Sequence, residues 1–178
     1  MNPIEIIKKY YKEDSELYRV LLTHSQKVAD KALFIAGLHP EMNLDKEFIY
    51  QAAMLHDIGI YLCDAPDIYC TGKEPYIRHG VLGAEILRRE GFERHALVCE
   101  RLTGAGIPLK QILDEDMPLP HRDMLPVTME EKIICLADKF FSKSGSGDEK
   151  KLEKIRKSIS RFGADSLERF DQLCALFL

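Results

Sequence analysis

Tryptophan is missing from the 178 residues, and so is any apolar run long enough to cross a bilayer. The opening residues, Met1-Asn2-Pro3-Ile4-Glu5, meet a charge at once and contain no apolar h-region, so no secretory leader is expected. The five cysteines (Cys63, Cys70, Cys99, Cys135 and Cys174) are an odd number without a close C-x-x-C pair. That excludes a disulfide framework and a thiolate zinc site, and points to a cytoplasmic chain with reduced thiols. There is no P-loop or dinucleotide fingerprint, no internal repeat, and no strand alternation of useful length. Strong charge of one sign is also lacking. A net charge of -4 argues against general nucleic-acid or anionic-membrane binding, while leaving room for a local basic pocket that takes a phosphate.

The chain is instead a balanced globular sequence, 46% hydrophobic and 30% charged. Its length suits one domain over 1–178, with a core over about 15–143 and C-terminal helices over 148–178 packed on it. The periodicity is helical throughout. A short helix is expected over 4–11, then a long one capped by Asp14 or Ser15 and ending at Gly37, and a third running from Asp45 to His56, with Gly59 stopping it in a left-handed conformation. Residues 63–75 read as a surface loop. Helices are expected over 77–90, with Gly91 as the stop, and over about 93–102. Pro108, Pro118, Pro120 and Pro126 mark a long irregular loop of the kind that forms lids. Thr128-Met129-Glu130-Glu131 has the form of a capping box and opens an apolar helix over 133–141. Beyond a flexible break at Ser144-Gly145-Ser146-Gly147, helices are expected over 148–161 and after an Asp165 cap.

Four residues on these helices are costly to bury. His24 lies on the apolar stripe of Leu17, Leu21, Val28, Ala32 and Ile35, and taken alone reads as a core histidine bonded to a carbonyl. His56 and Asp57 end an apolar run. Asp138 lies among Ile133, Ile134, Cys135, Leu136, Ala137, Phe140 and Phe141, with no polar face to escape to. An unpaired carboxylate there would cost several kcal/mol. A structural salt bridge would explain Asp138 alone. For all four together a shared cation is the simplest partner, and two imidazoles with two carboxylates suit a divalent transition ion such as Mn, Fe, Co, Ni or Zn.

His24, His56-Asp57 and Asp138 in this order resemble the H…HD…D signature of the HD-domain metal-dependent phosphohydrolases, and His56-Asp57-Ile58-Gly59 resembles their HDIG subgroup. The resemblance extends through 78–87, 99–106 and 125–139 and covers roughly 24–141. It implies an all-α, compact HD-domain bundle with one metal held by His24, His56, Asp57 and Asp138. Asp57 would also orient the attacking water. In members with two metals, His79 matches one ligand of the second ion, and the other falls at Leu102, which has no donor atom. His95 lies two turns from that position, roughly 10 Å along the axis, too far to replace it. One ion is therefore favoured over two, leaving His79 to bind substrate phosphate or to act as acid or base. Ile60 stands where many HDIG enzymes carry lysine, so Arg78, Lys139, His121 and Arg122 become the candidates for phosphate binding.

The implied activity is hydrolysis of a phosphomonoester in a small, nucleotide-like substrate by metal-activated water. The expected partner is that phosphorylated small molecule, without nucleic acid or membrane, and a homo-oligomer is compatible with the apolar stripes of the last two helices. Two other functions share the resemblance: a di-iron oxygenase, which needs a complete second site, and a degenerate HD domain that binds a nucleotide or protein partner.

Overall fold

The computed structural model describes every residue except Ser146, so the expected break at 144–147 lies in part outside the described residues. Capping side chains set most of the early helix starts. Asn2 accepts from the Ile4 N–H at 3.1 Å to open α1 (Pro3–Tyr10), Ser15 from the Tyr18 N–H at 3.2 Å to open α2 (Glu16–Leu38), and Asp45 from the Phe48 N–H at 3.0 Å to open α3 (Lys46–Leu55). Gly37 does not stop α2, which runs on to Leu38.

After α3 the chain makes the His56-Asp57 turn and then a two-stranded antiparallel hairpin, β1 (Asp64–Ala65) with β2 (Cys70–Thr71). The segment over 63–75 is thus more than a surface loop, because Cys63 and Cys70 are buried under it. Next come α4 (His79–Arg89) and α5 (Glu93–Arg101), with Gly91 between them at φ 86° as expected of a helix stop. The proline-rich stretch is not wholly irregular: α6 (Leu109–Asp114) starts directly behind Pro108, where a fixed φ and a missing N–H do no harm.

In α7 (Met129–Lys139), Thr128 accepts from the Glu131 N–H at 3.2 Å. The reciprocal half of the capping box is displaced by one residue, since the Glu131 carboxylate accepts from Val127 N–H and pairs with Arg101. The helix expected over 148–161 is shorter, α8 (Leu152–Ile159), and α9 (Ala164–Phe177) is preceded by Gly163 at φ 102°, which places Asp165 inside the first turn rather than at the cap.

Two large apolar clusters hold most of these elements together, and a small third one of Val81, Ile107, Ile112, Leu119 and Met124 seats α6. The larger joins α2, α3 and α7 through Val28, Ile35, Ile49, Met54, Ile134 and Leu136, and α8 and α9 cover it with Ile155, Phe170 and Phe177. The second joins α1, α4 and α5 to α2 and α3 through Ile7, Leu21, Leu55, Ile86, Leu87 and Cys99. Side chains of this size contribute about 1.5–3 kcal/mol each when fully buried. His24, His56, Asp57 and His79 are buried among these elements. Among the described residues no helix is long and apolar enough to cross a membrane.

Candidate metal centre

Three elements converge on one point. α2 brings His24 to it, the turn after α3 brings His56 and Asp57, and the end of α7 brings Asp138. His24 Nε2 lies 3.0 Å from Asp138 Oδ1 and 3.3 Å from Asp57 Oδ2, and His56 Nε2 lies 3.0 Å from Asp57 Oδ2 and 3.4 Å from Asp138 Oδ1. One donor atom from each residue falls within 4.8 Å of all the others. Donors bound at about 2.0–2.2 Å from one ion stand roughly 3–4 Å apart, so these separations are those of a single coordination sphere.

The buried atoms also ask for a partner. His56 Nε2 and Asp57 Oδ2 make no hydrogen bond among the described residues, and their close polar neighbours are charged groups: they lie 3.0 Å from one another, and Lys143 Nζ lies 2.5 Å from Asp57 Oδ2. Two such groups fully buried would be strongly destabilising alone. His56 Nδ1 lies 2.6 Å from the Ala53 carbonyl oxygen, which fixes the ring and leaves Nε2 facing the centre. Burial alone would lower the His56 pKa, but the adjacent Asp57 and Asp138 carboxylates overcome it and raise it to about 9. Burial would likewise raise Asp57, yet His56 and Lys143 hold it well below the usual carboxylate range. The donor set fits a divalent cation, which would satisfy both carboxylates and the free imidazole nitrogens.

His79 stands at the edge of this group, its Nε2 3.4 Å from Asp57 Oδ1 and its Nδ1 2.7 Å from the Tyr76 carbonyl oxygen. The Tyr76 ring stacks on it at 4.7 Å between centroids. Burial lowers the His79 pKa despite Asp57, which keeps the imidazole neutral near pH 7. Leu102 points into the larger apolar cluster, and only its carbonyl oxygen serves the site, accepting from Lys139 Nζ at 3.1 Å.

The basic candidates divide. Lys139 is at the centre, its Nζ 2.6 Å from Asp138 Oδ2. Arg78 pairs with Glu74 at 2.9 Å, Arg122 is held on buried Glu100 at 2.7 and 2.9 Å, and His121 is exposed beside it. The sequence reading missed Lys143, whose Nζ lies 2.5 Å from Asp57 Oδ2 with its side chain 14% exposed. The available signal was a second lysine five residues after Asp138, but α7 has ended by then and no periodicity assigns it a direction. Tyr76, against which both His79 and Lys143 rest, was missed as well.

The family model described as HD domain matches residues 21–142. The chain therefore belongs to the HD-domain family, that of the metal-dependent phosphohydrolases. It is 42% identical over 96 residues to an uncharacterized protein of Methanocaldococcus jannaschii, a match covering 53% of this chain and 49% of that one. It is 31% identical over 173 residues to the tRNA (cytidine(56)-2'-O)-methyltransferase of Thermoplasma volcanium, covering 96% of this chain and 44% of that protein. A protein of the same name from Picrophilus torridus is 32% identical over 124 residues, 69% of this chain and 32% of the relative. The chain thus spans about half or less of the length of the curated relatives it matches. No solved structure matches it.

Proposed function

We propose that the chain is a metal-dependent phosphohydrolase acting on a small phosphate ester of nucleotide type. The observation that carries this reading is the convergence of His24, His56, Asp57 and Asp138, one donor atom of each within 4.8 Å of the others, with His56 Nε2 and Asp57 Oδ2 buried and making no hydrogen bond among the described residues. These four residues would hold one divalent transition ion. When bound, such an ion polarises a phosphoryl oxygen and lowers the pKa of water toward neutrality.

The remaining roles belong to the chain. Lys139 and Lys143 present two ammonium groups to the equatorial oxygens of a phosphoryl group, where charge builds during transfer. Asp57 Oδ1, facing His79, orients the attacking water. Neutral His79, its Nδ1 engaged by the Tyr76 carbonyl, has Nε2 available to accept or return a proton. Leu102 offers no donor to a second ion, which favours one ion over two and weighs against the di-iron oxygenase. A cytoplasmic setting goes with this reading.

Metal analysis of the purified chain, with a panel of nucleoside monophosphates and generic phosphate esters, tests it. One ion per chain and turnover lost in His56→Ala are expected. Full turnover in a variant that binds no metal would overturn the reading.

The names of two relatives favour a second reading in which the phosphate belongs to a tRNA. The net charge of -4 weighs against it. Turnover of a tRNA-borne phosphate that exceeds turnover of free nucleotides would favour it instead.

A further inference from the structure

Residues 150–161 carry six lysines and arginines against one carboxylate, Glu153, in a chain whose net charge is -4. The sum over the whole chain hides this local excess. α8 and the short 3-10 turn that follows it (Ser160–Phe162) sort the charges by direction. Ile155 and Ile159 are buried in the larger apolar cluster. Lys154, Lys157 and Arg161, spaced by three and four residues, share the opposite, exposed face. Arg156 lies off this stripe and pairs with Asp171. The side chains of Lys154, Lys157 and Arg161 make no ion pair or hydrogen bond among the described residues. Glu153, four residues before Lys157, is the one carboxylate on the helix. Like charges at these spacings destabilise a helix, and an anion laid along the stripe would remove that repulsion.

The stripe adjoins the metal centre at both ends. At its start Lys150 lines a cavity of about 400 Å3 with Lys139 and Lys143. Burial, with repulsion from Lys139, Lys154 and Lys143 and against the pull of Asp138, holds the Lys150 pKa below the usual lysine range. At its far end Phe162, 61% exposed, lines a second cavity, of about 420 Å3, that reaches His79. Side chains three or four residues apart on a helix stand ~5–6 Å apart at Cβ. That is close to the separation of neighbouring phosphates along an extended strand. A row of one sign at this repeat matches a polymer with one charge per unit better than it matches the mixed charges of a folded protein. A bilayer fits less well, because a helix lying on a membrane turns its apolar face outward. α8 buries Ile155 and Ile159, and Leu152 and Phe162 are the large apolar side chains left exposed on it and its turn.

We propose that the face of α8 from Lys154 through Lys157 to Arg161 docks the backbone of a single polynucleotide strand, with a base stacked on Phe162. The expectation of no nucleic-acid partner rests on net charge and does not describe this face. The proposal concerns binding alone, and stands whether or not the metal centre hydrolyses a phosphate ester.

Fluorescence anisotropy of the full chain with labelled oligo(U) and oligo(dT), each long enough to cover one such site, tests it over a range of KCl. Three to four neutralised phosphates on a single strand give a log–log salt slope of about −2 to −3, so affinity is expected to fall roughly 20- to 50-fold between 50 and 200 mM KCl. Lys154→Gln/Lys157→Gln/Arg161→Gln is expected to flatten the slope by about 2. Lys12→Gln/Lys46→Gln/Lys73→Gln makes the same change in net charge at exposed positions elsewhere and is expected to keep both affinity and slope. Phe162→Ala is expected to weaken binding about tenfold through loss of stacking. Tighter binding of the ribose strand than of the deoxyribose strand adds contacts to the 2′-hydroxyl, and equal binding confines recognition to backbone and base. Absence of binding by the unmodified chain at 50 mM KCl overturns the proposal without recourse to any variant. Equal losses in the two triple variants overturn it in favour of net charge. Tighter binding to poly-L-glutamate overturns it in favour of an acidic protein, and tighter binding to phosphatidylcholine vesicles containing a quarter phosphatidylserine overturns it in favour of a membrane.

Discussion

A Cβ atom on Gly59 would lie 2.3 Å from the carbonyl oxygen of His79. The turn that carries His56 and Asp57 thus rests on the first turn of α4, which carries His79. Gly59 has φ −83° and ψ −6°, ordinary helical values, so the position needs smallness rather than left-handed freedom. Gly59→Ala is expected to force the two backbones apart and lower stability by about 1–3 kcal/mol. Urea denaturation checks the stability, and metal content checks the displacement. Unchanged values for both would mean that the contact relaxes freely.

The four-residue centre makes folding and metal binding one equilibrium. An ion at 1,000 times its dissociation constant stabilises the native state by about 4 kcal/mol, so chelation is expected to lower the melting temperature by several degrees and Mn2+ to restore it. In Asp138→Asn the melting temperature should no longer respond to Mn2+. A full response in that variant would remove Asp138 from the ligand set.

Lys143 reaches the same carboxylate as the metal would, from the side of a cavity that it lines with Lys139 and Lys150. Lys143→Met is expected to reduce kcat/KM for a phosphate substrate by on the order of 100-fold, as for other single groups that stabilise transition-state charge. Metal stoichiometry is expected to persist, since the variant keeps all four donors and removes a competing cation. Parallel metal analysis and kinetics distinguish this from loss of the site.

How much of this was legible depends on whether a residue lay on a periodic element. His24 and Asp138 could be read because apolar neighbours at helical spacing fixed the direction of each side chain, and His56-Asp57 because an apolar run led into it. Lys143 and Arg122 lie in irregular segments, where sequence gives charge but no direction, so one contributor was missed and the other was assigned to phosphate although Glu100 holds it. Gly59 shows a different limit. A glycine after a helix serves equally for positive φ or for close approach, and only the position of α4 decides. Similarly, the prolines around α6 read as breaks, yet six residues after Pro108 still close a helix.

Glu100 is buried at 4% exposure and bridges Arg88 and Arg122. Both guanidinium groups hold its pKa down although burial opposes them. Glu100→Gln is expected to lower stability by about 2–3 kcal/mol, at or below the usual range for breaking a buried pair because Arg122 is half exposed. Arg122→Ala leaves Arg88 in place and should cost less, about 1 kcal/mol, while metal content stays constant. Chemical denaturation of the two variants gives the comparison, and an Arg122 effect on metal content would return that residue to the site.

His95 is a half-buried histidine whose pH dependence can be worked out apart from the metal ligands. Its Nε2 lies 3.3 Å from Gln51 Oε1, and its ring packs edge-on against Phe48 and Phe92. Burial, with Arg94 adding to it, lowers its pKa to about 4, against a reference value of 6.5. Between those values the unfolded chain binds the proton and the folded chain does not, so the folded state loses stability as pH falls from about 6.5 toward 4. The ring is partly exposed, which discounts the effect to about 1–2 kcal/mol. Carboxylates that titrate lower in the range affect the unmodified chain and His95→Gln alike. The stability difference between the two proteins should therefore shift by that amount between pH 7 and pH 4.5, the unmodified chain losing more. Equal losses in urea titrations at the two pH values would show that His95 protonates in the folded state as freely as in the unfolded one.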